Sequence, residues 1–200
     1  MGSQSNLLTE RVPKSYDLAF KRYHIAAKLG LSTAAVMLGT MYENGYGQDK
    51  DYSNALKWYK VAASSCDVEA LYNLGRLHEH GIGCEVSNDL AFTYYKQAAE
   101  LGHLDGMTSY GRFLQTGQGC ELDYKSAFNQ FKAAAEKDDA KAQNYLATCF
   151  YLGRGVPIDY HKAVFYFKKA SEKVLFDCII LRDSLQHSIT LVSAMRKVLV

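Results

Sequence analysis

Two hundred residues, 48% of them hydrophobic, are enough to bury a sizeable core. Lys and Arg number 23 against 21 Asp and Glu, a formal charge of +2, which argues against a dedicated nucleic-acid or anionic-membrane surface. No apolar run has the length of a membrane span. The opening residues, Met1-Gly2-Ser3-Gln4-Ser5-Asn6, lack the basic-then-apolar layout of a secretion signal, so the expected location is the cytoplasm.

Taken in order, residues 1–12 read as a flexible N-terminus. Tyr16 to Gly30 reads as a helix. Its Ala19, Arg22-Tyr23 and Ala26-Ala27 stand in columns that recur 36 residues further on. The period is set by a Gly-x-Gly pair at Gly45/Gly47, Gly81/Gly83, Gly117/Gly119 and Gly153/Gly155, with 36 residues between successive copies. A period of this size marks stacked supersecondary units. Before each glycine pair runs a helical stripe of small, large apolar, small and mostly aromatic residues: Ala34-Leu38-Gly39-Tyr42, Ala70-Leu74-Gly75-His78, Gly106-Tyr110-Gly111-Leu114 and Ala142-Leu146-Ala147-Phe150. The adjacent small residues predict a place where another backbone comes close.

After each pair a second stripe follows: Ala55-Trp58-Tyr59-Ala62-Ala63, Ala91-Tyr94-Tyr95-Ala98-Ala99, Ala127-Gln130-Phe131-Ala134-Ala135 and Ala163-Tyr166-Phe167-Ala170-Ser171. Each unit is therefore helix, glycine turn, helix. First helices are expected near 33–44, 69–80, 105–116 and 141–152, and second helices near 52–65, 88–101, 124–137 and 160–172. The first glycine of each pair suits the left-handed conformation that ends a helix, and the second gives the loop room to turn. Asp51, Ser87, Asp123 and Asp159 stand where N-caps of the second helices belong. A single helical hairpin cannot bury its own apolar face, whereas stacked hairpins can. The expected fold is all-α: an α-solenoid, a right-handed superhelix of helix-turn-helix repeats, with a half repeat at 15–30 and four full repeats over about 33–172, the whole spanning 13–172.

Beyond Lys173 the pattern changes. Val174, Cys178, Leu181, Leu185, Ile189, Val192, Met195 and Leu199 recur in three- and four-residue steps, and no glycine or proline interrupts them. Residues 173–200 thus read as an amphipathic C-terminal capping helix, and residues 174–200 as a candidate seam for a homo-oligomer.

Rows such as Ala34…Leu38-Gly39…Tyr42…Gly45-Tyr46-Gly47…Ala55…Trp58-Tyr59…Ala62-Ala63, and the loop Gly153-Arg154-Gly155-Val156-Pro157…Asp159…Lys162-Ala163, resemble the Sel-1-like repeat, a longer relative of the tetratricopeptide repeat. The resemblance covers roughly residues 15 to 172. It implies a non-enzymatic adaptor or scaffold that binds a protein or peptide along a concave groove lined by the first helices. It also brings an alternative, since some cysteine-rich relatives have been linked to β-lactam binding or cleavage. That hydrolase chemistry would need an acylatable serine beside a base, and none stands in register.

Nothing else in the chain organises chemistry. The five cysteines, Cys66, Cys84, Cys120, Cys149 and Cys178, form no close pairs and read as reduced thiols. Cys84 and Cys120 share a column, but no short Cys-x-x-Cys supports zinc. His78 and His80 are two residues apart and so point about 200° apart on a helix. His78 stands in the Tyr42 column and is expected to pack or hydrogen-bond between units. No catalytic residues, metal ligands or cofactor are expected.

Counting from the buried Leu38 column, the groove positions implied by the resemblance are Val36, Thr40, Glu43 and Asn44 in the first full unit, Tyr72, Arg76, Glu79 and His80 in the second, Thr108, Arg112, Gln115 and Thr116 in the third, and Asn144, Thr148, Tyr151 and Leu152 in the fourth. Arg76 and Arg112 share a column. With Asn144 they offer a ladder of donors for an acidic segment or a C-terminal carboxylate. Neither nucleic acid nor membrane is an expected partner.

Overall fold

In the computed structural model, residues 11–177 are described, with side chains over 16–172. Nine helices run through them: α1 Arg11–Lys28, α2 Ser32–Asn44, α3 Tyr52–Ala63, α4 Val68–His80, α5 Asn88–Glu100, α6 Leu104–Thr116, α7 Tyr124–Glu136, α8 Ala140–Leu152 and α9 Tyr160–Asp177. The helix expected from Tyr16 begins at Arg11, with Pro13 in the first turn, where a missing N–H costs nothing. The helix expected to end near 172 runs on to Asp177. The rest of the proposed capping helix, and with it most of the oligomer seam, lies outside the described residues. The chain divides into two compact units, one ending at Gly106 and one beginning at Met107, so the boundary falls inside α6.

The punctuation follows the chemistry of the turns. Asp51 and Ser87 in the first unit, and Asp123 and Asp159 in the second, accept the backbone N–H three residues on and cap α3, α5, α7 and α9. The cap bonds hold the carboxyls of Asp51 and Asp159 below their ordinary range, and the Ser126 hydroxyl, followed by the Ser126 N–H, does the same for Asp123. At the other end, the N–H of the left-handed Gly81 (φ 65°) returns to the Leu77 carbonyl and closes α4. Gly83 has a further reason to be glycine. A Cβ there would lie 2.7 Å from Cβ of Tyr52, on the helix of the preceding hairpin. Gly155 meets the Tyr124 carbonyl in the same way within the second unit.

The cores are built from the two stripes. In the first unit Leu38, Ala55, Tyr59, Ala62, Ala70, Leu74 and Leu77 pack together, with no more than 1% of any of them exposed. The small-residue column admits a ring, where the pattern suggested a backbone. The ring of Tyr59 lies over Gly39, and that of Tyr95 over Gly75. An added Cβ at Gly75 would be 2.7 Å from Tyr95 ring atoms. In the second unit Phe131 fills the same place over Gly111 and stacks on Tyr145 with ring centroids 4.8 Å apart. Three hairpins are thus locked by one large ring set into a notch that only a small residue leaves open.

Candidate functional site

The first unit gathers a polar network on the face shared by α2 and α4. Glu43 on α2 and Arg76 on α4 meet across the two hairpins, with Nη2 of Arg76 2.7 and 2.6 Å from the two carboxylate oxygens. Their side chains are 16% and 27% exposed, so the pair is half-sunk. The hydroxyl of Tyr59, on α3, lies 3.1 Å from Glu43 and 3.2 Å from Thr40. Asn73 accepts from Nη2 of Arg76 through its side-chain oxygen and donates to the carbonyl and carboxylate of Glu69. Glu69 in turn meets Nε2 of His103 at 3.1 Å. Burial first, and the Glu43 carboxylate second, raise the Tyr59 phenol well above its normal range, outweighing the opposing bond from Thr40. Burial alone would depress the Arg76 guanidinium, but Glu43 more than offsets it and the net shift is upward.

All three nitrogen contacts of Arg76 run through Nη2. Among the described residues, Nε and Nη1 meet no acceptor, although the side chain is partly open to solvent. Beside it, the Tyr72 ring stacks on His103 with centroids 4.7 Å apart and leans on Tyr95 at 5.8 Å. The Tyr95 hydroxyl donates to Glu79 at 2.7 Å. Of the four residues expected on α4, Tyr72, Arg76 and Glu79 are half-buried and His80 is exposed at the end of the helix, whereas Val36, expected on α2, is buried in the core.

The second unit departs further from expectation. Thr108 and Gln115 are 5% and 7% exposed, so they are interior residues and do not line an open face. Among the described residues, neither the Thr108 hydroxyl nor the Gln115 amide nitrogen has a hydrogen-bond partner. Gln115 stands where Glu43 and Glu79 stand, and Phe131 stands where Tyr59 and Tyr95 stand. The hydroxyl that engages those two carboxylates is therefore missing from the third hairpin. Arg112 is half-buried, with its guanidinium 5.0 Å from the ring of Phe113. On α8 Asn144 is exposed, the Thr148 hydroxyl returns to the Asn144 carbonyl, and Tyr151 packs edge-on against Tyr160. Of the expected donors, Arg76 belongs to the first unit and Arg112 and Asn144 to the second.

The other candidates resolve locally. His78 is 6% exposed and stacks on Tyr94 in its own hairpin, with Nδ1 3.5 Å from Sγ of Cys84. Burial, helped by Lys60, lowers its pKa. Cys84 and Cys120 each donate to the carbonyl seven residues back, those of Leu77 and Phe113, and burial pushes both thiols up. His103 is the residue the sequence reading missed. Its Nδ1 accepts from the Gly106 N–H at 3.0 Å, so it caps α6 as Asp67 caps α4 and Asp139 caps α8. The 36-residue column Asp67, His103, Asp139 was the available signal. Among the described residues, no group of three or more His, Cys, Asp or Glu side chains is placed to hold a metal ion. No described helix is long and apolar enough to cross a membrane.

Helical hairpins punctuated by glycine turns, three of them locked by a ring over a glycine, define a repeat protein of the solenoid class. The Sel1 repeat model matches residues 7–31, 32–65, 68–103, 104–139 and 140–174, and the chain belongs to the Sel1 repeat family. Among solved structures it is similar to a Sel1 repeat protein from Oxalobacter formigenes, at 32% identity and a TM-score of 0.74, covering 78% of this chain and 62% of that one. It is also similar to a protective antigen of uropathogenic Escherichia coli that displays an SLR fold, at 28% identity and a TM-score of 0.76, covering 79% of this chain and 34% of that one. The chain therefore spans less than two thirds of the length of either protein. No curated protein matches. Sel1 repeat proteins generally serve as protein-interaction scaffolds.

Proposed function

We propose that this chain is a non-enzymatic adaptor, and that the face shared by α2 and α4 holds a peptide segment through a carboxylate, from an acidic side chain or a C-terminus. The observation that carries this reading is the posture of Arg76. Glu43 grips one terminal nitrogen and fixes the plane of the guanidinium, which leaves the Nε and Nη1 edge without an acceptor among the described residues. A planar, pre-oriented edge suits bidentate capture of a carboxylate, and little side-chain entropy remains to be lost on binding. Tyr72, stacked and therefore stiff, supplies an apolar wall beside it, and Glu79 and His80 lie further along α4. On α8, Asn144, Thr148 and Tyr151 offer a second, more neutral set of contacts for the same kind of partner, with Arg112 on α6. The hydrolase alternative gains no observation in its favour.

The test is a display selection of peptides with free C-termini against the wild type, followed by affinity measurements on the best binder. The same peptide is then tried with an amidated C-terminus, with its acidic residues neutralised, and against Arg76→Gln. Affinity should fall at least tenfold with Arg76→Gln and with loss of the relevant carboxylate. Equal affinity for wild type and variant, both folded by melting curve, would remove Arg76 from the site. Deleting residues 188–200 checks the oligomer seam separately, because an unchanged oligomeric state would exclude that stretch.

A further inference from the structure

The near-balance of charge over the whole chain hides a strong local imbalance. Lys21, Arg22 and Lys28 on α1, and Lys57 and Lys60 on α3, are all exposed. None of the five makes an ion pair among the described residues. The two helices are neighbours, since the His24 ring sits edge-on to Trp58 at 5.5 Å. The neighbouring anions are Asp17, exposed on α1, and Asp51, which caps α3 and feels the charge of Lys57. The same solvent-facing stripes carry aliphatic side chains that stand out into water: Leu18 is 52% exposed, Ile25 62%, Leu29 79% and Val61 48%. Ile25 and Val61 occupy the same column of successive repeats, so the apolar row runs across the pair of helices. Steps of three and four residues place Leu18, Lys21, Arg22, Ile25, Lys28 and Leu29 on one face of α1.

We propose that the solvent-facing side of α1 and α3 is a second docking surface, and that its partner is a protein segment alternating apolar and acidic side chains. This reading is independent of the Arg76 face, from which it differs in helix, side chain and composition. Charge complementarity selects an acidic partner, because five exposed cations outnumber the two neighbouring carboxylates, Asp17 and Asp51, and leave a net positive field. The aliphatic residues disfavour a nucleic acid, whose phosphates gain nothing from leucine or valine. The interleaving disfavours a lipid surface. A helix that lies in a membrane interface keeps its apolar residues on one side and its cations on the other. Here Lys21 and Arg22 stand between Leu18 and Ile25, and Lys28 between Ile25 and Leu29, so sinking the leucines would drag the ammonium groups with them. A peptide bearing Asp or Glu between apolar side chains meets both sets at once.

The experiment is a peptide display selection on the full chain, run in parallel on Lys21→Glu/Lys28→Glu/Lys57→Glu and on Ile25→Ser/Val61→Ser. All five positions are exposed, and melting curves confirm that each variant is folded. The wild type should enrich sequences with Asp or Glu flanking apolar residues. The best of them should bind at least tenfold more weakly to each variant, lose affinity as salt rises, and bind Arg76→Gln unchanged. Enrichment without an acidic–apolar pattern, or equal binding to the charge-reversed variant, overturns the proposal. So does lysine-dependent co-sedimentation with vesicles containing 30% phosphatidylserine, or lysine-dependent binding of a 20-base-pair duplex, when no acidic peptide is selected. Loss of peptide binding in Arg76→Gln alone would return the acidic partner to the α2/α4 face.

Discussion

Arg76 of α4 grips both carboxylate oxygens of Glu43 on α2 through a single nitrogen, and the Tyr59 hydroxyl lies 3.1 Å from the same carboxylate. The pair therefore joins two successive hairpins and positions a side chain at once. Exposed ion pairs contribute little, but this one is half-sunk and braced by a phenol. Arg76→Gln or Glu43→Gln should each cost about 1–2 kcal/mol in urea unfolding, because each leaves a partly buried charge without its partner. The double variant should cost less than the sum, with a coupling of about 1 kcal/mol. Strict additivity would show that the two side chains do not act together.

Between repeats the chain turns through a column that the glycine pairs overshadow: Gly30, Cys66, Gly102 and Asp138 all have positive φ, at 92°, 56°, 86° and 62°. A β-carbon in the left-handed region costs roughly 1 kcal/mol, and glycine's extra freedom in the unfolded chain offsets part of the gain from removing it. Cys66→Gly should therefore stabilise the chain by about 0.5 kcal/mol. Asp138→Gly should gain nothing, because it also breaks the 2.7 Å ion pair with Lys169. Thermal melts of the two variants measured together separate backbone strain from side-chain contact.

His103 tests the capping logic. With Nδ1 accepting from Gly106, the ring must carry its proton on Nε2, which then donates to Glu69. His103→Ala removes an N-cap and should cost about 1 kcal/mol, whereas His103→Asn keeps a capping oxygen and should cost a few tenths. Equal destabilisation by the two would mean that stacking on Tyr72, rather than the cap, is what the imidazole contributes.

These residues also mark how far the sequence could be read. The repeat, its helices, the caps at Asp51, Ser87, Asp123 and Asp159, and the glycine turns were legible because each depends on local chemistry that recurs at a fixed interval. What a column faces was less legible. Thr108 and Gln115 hold groove positions by counting, yet both are buried, since their column is only half-open and the rest depends on packing between helices. The Glu43–Arg76 pair links positions 33 residues apart, and no local pattern announces it. In hindsight the pairing of Glu43 with Tyr59 and Glu79 with Tyr95, against Gln115 with Phe131, was a readable covariation within one chain. His103 was overlooked because a histidine in a column of aspartates reads as a departure from the pattern, although its ring nitrogen serves the same purpose.

Cys149 gives the chain a predictable response to alkali. It is 1% exposed on α8, and burial pushes its thiol up to about 11. Unfolded, the same thiol titrates near about 8.5. Below that pH both states hold the proton and the contribution to stability is complete. As pH rises from there towards 11, the unfolded state releases its proton first and is favoured, so stability falls through this window. Cys149→Ala removes the titration and should flatten the alkaline limb of a urea-midpoint profile, after allowance for the small cavity it leaves. Labelling gives a second readout. Of the four described cysteines, Cys66 is exposed and should react with iodoacetamide first, Cys84 and Cys120 more slowly, and Cys149 only on unfolding. Rapid labelling of Cys149 in the folded chain would show that α8 opens locally and would shift the predicted window downward.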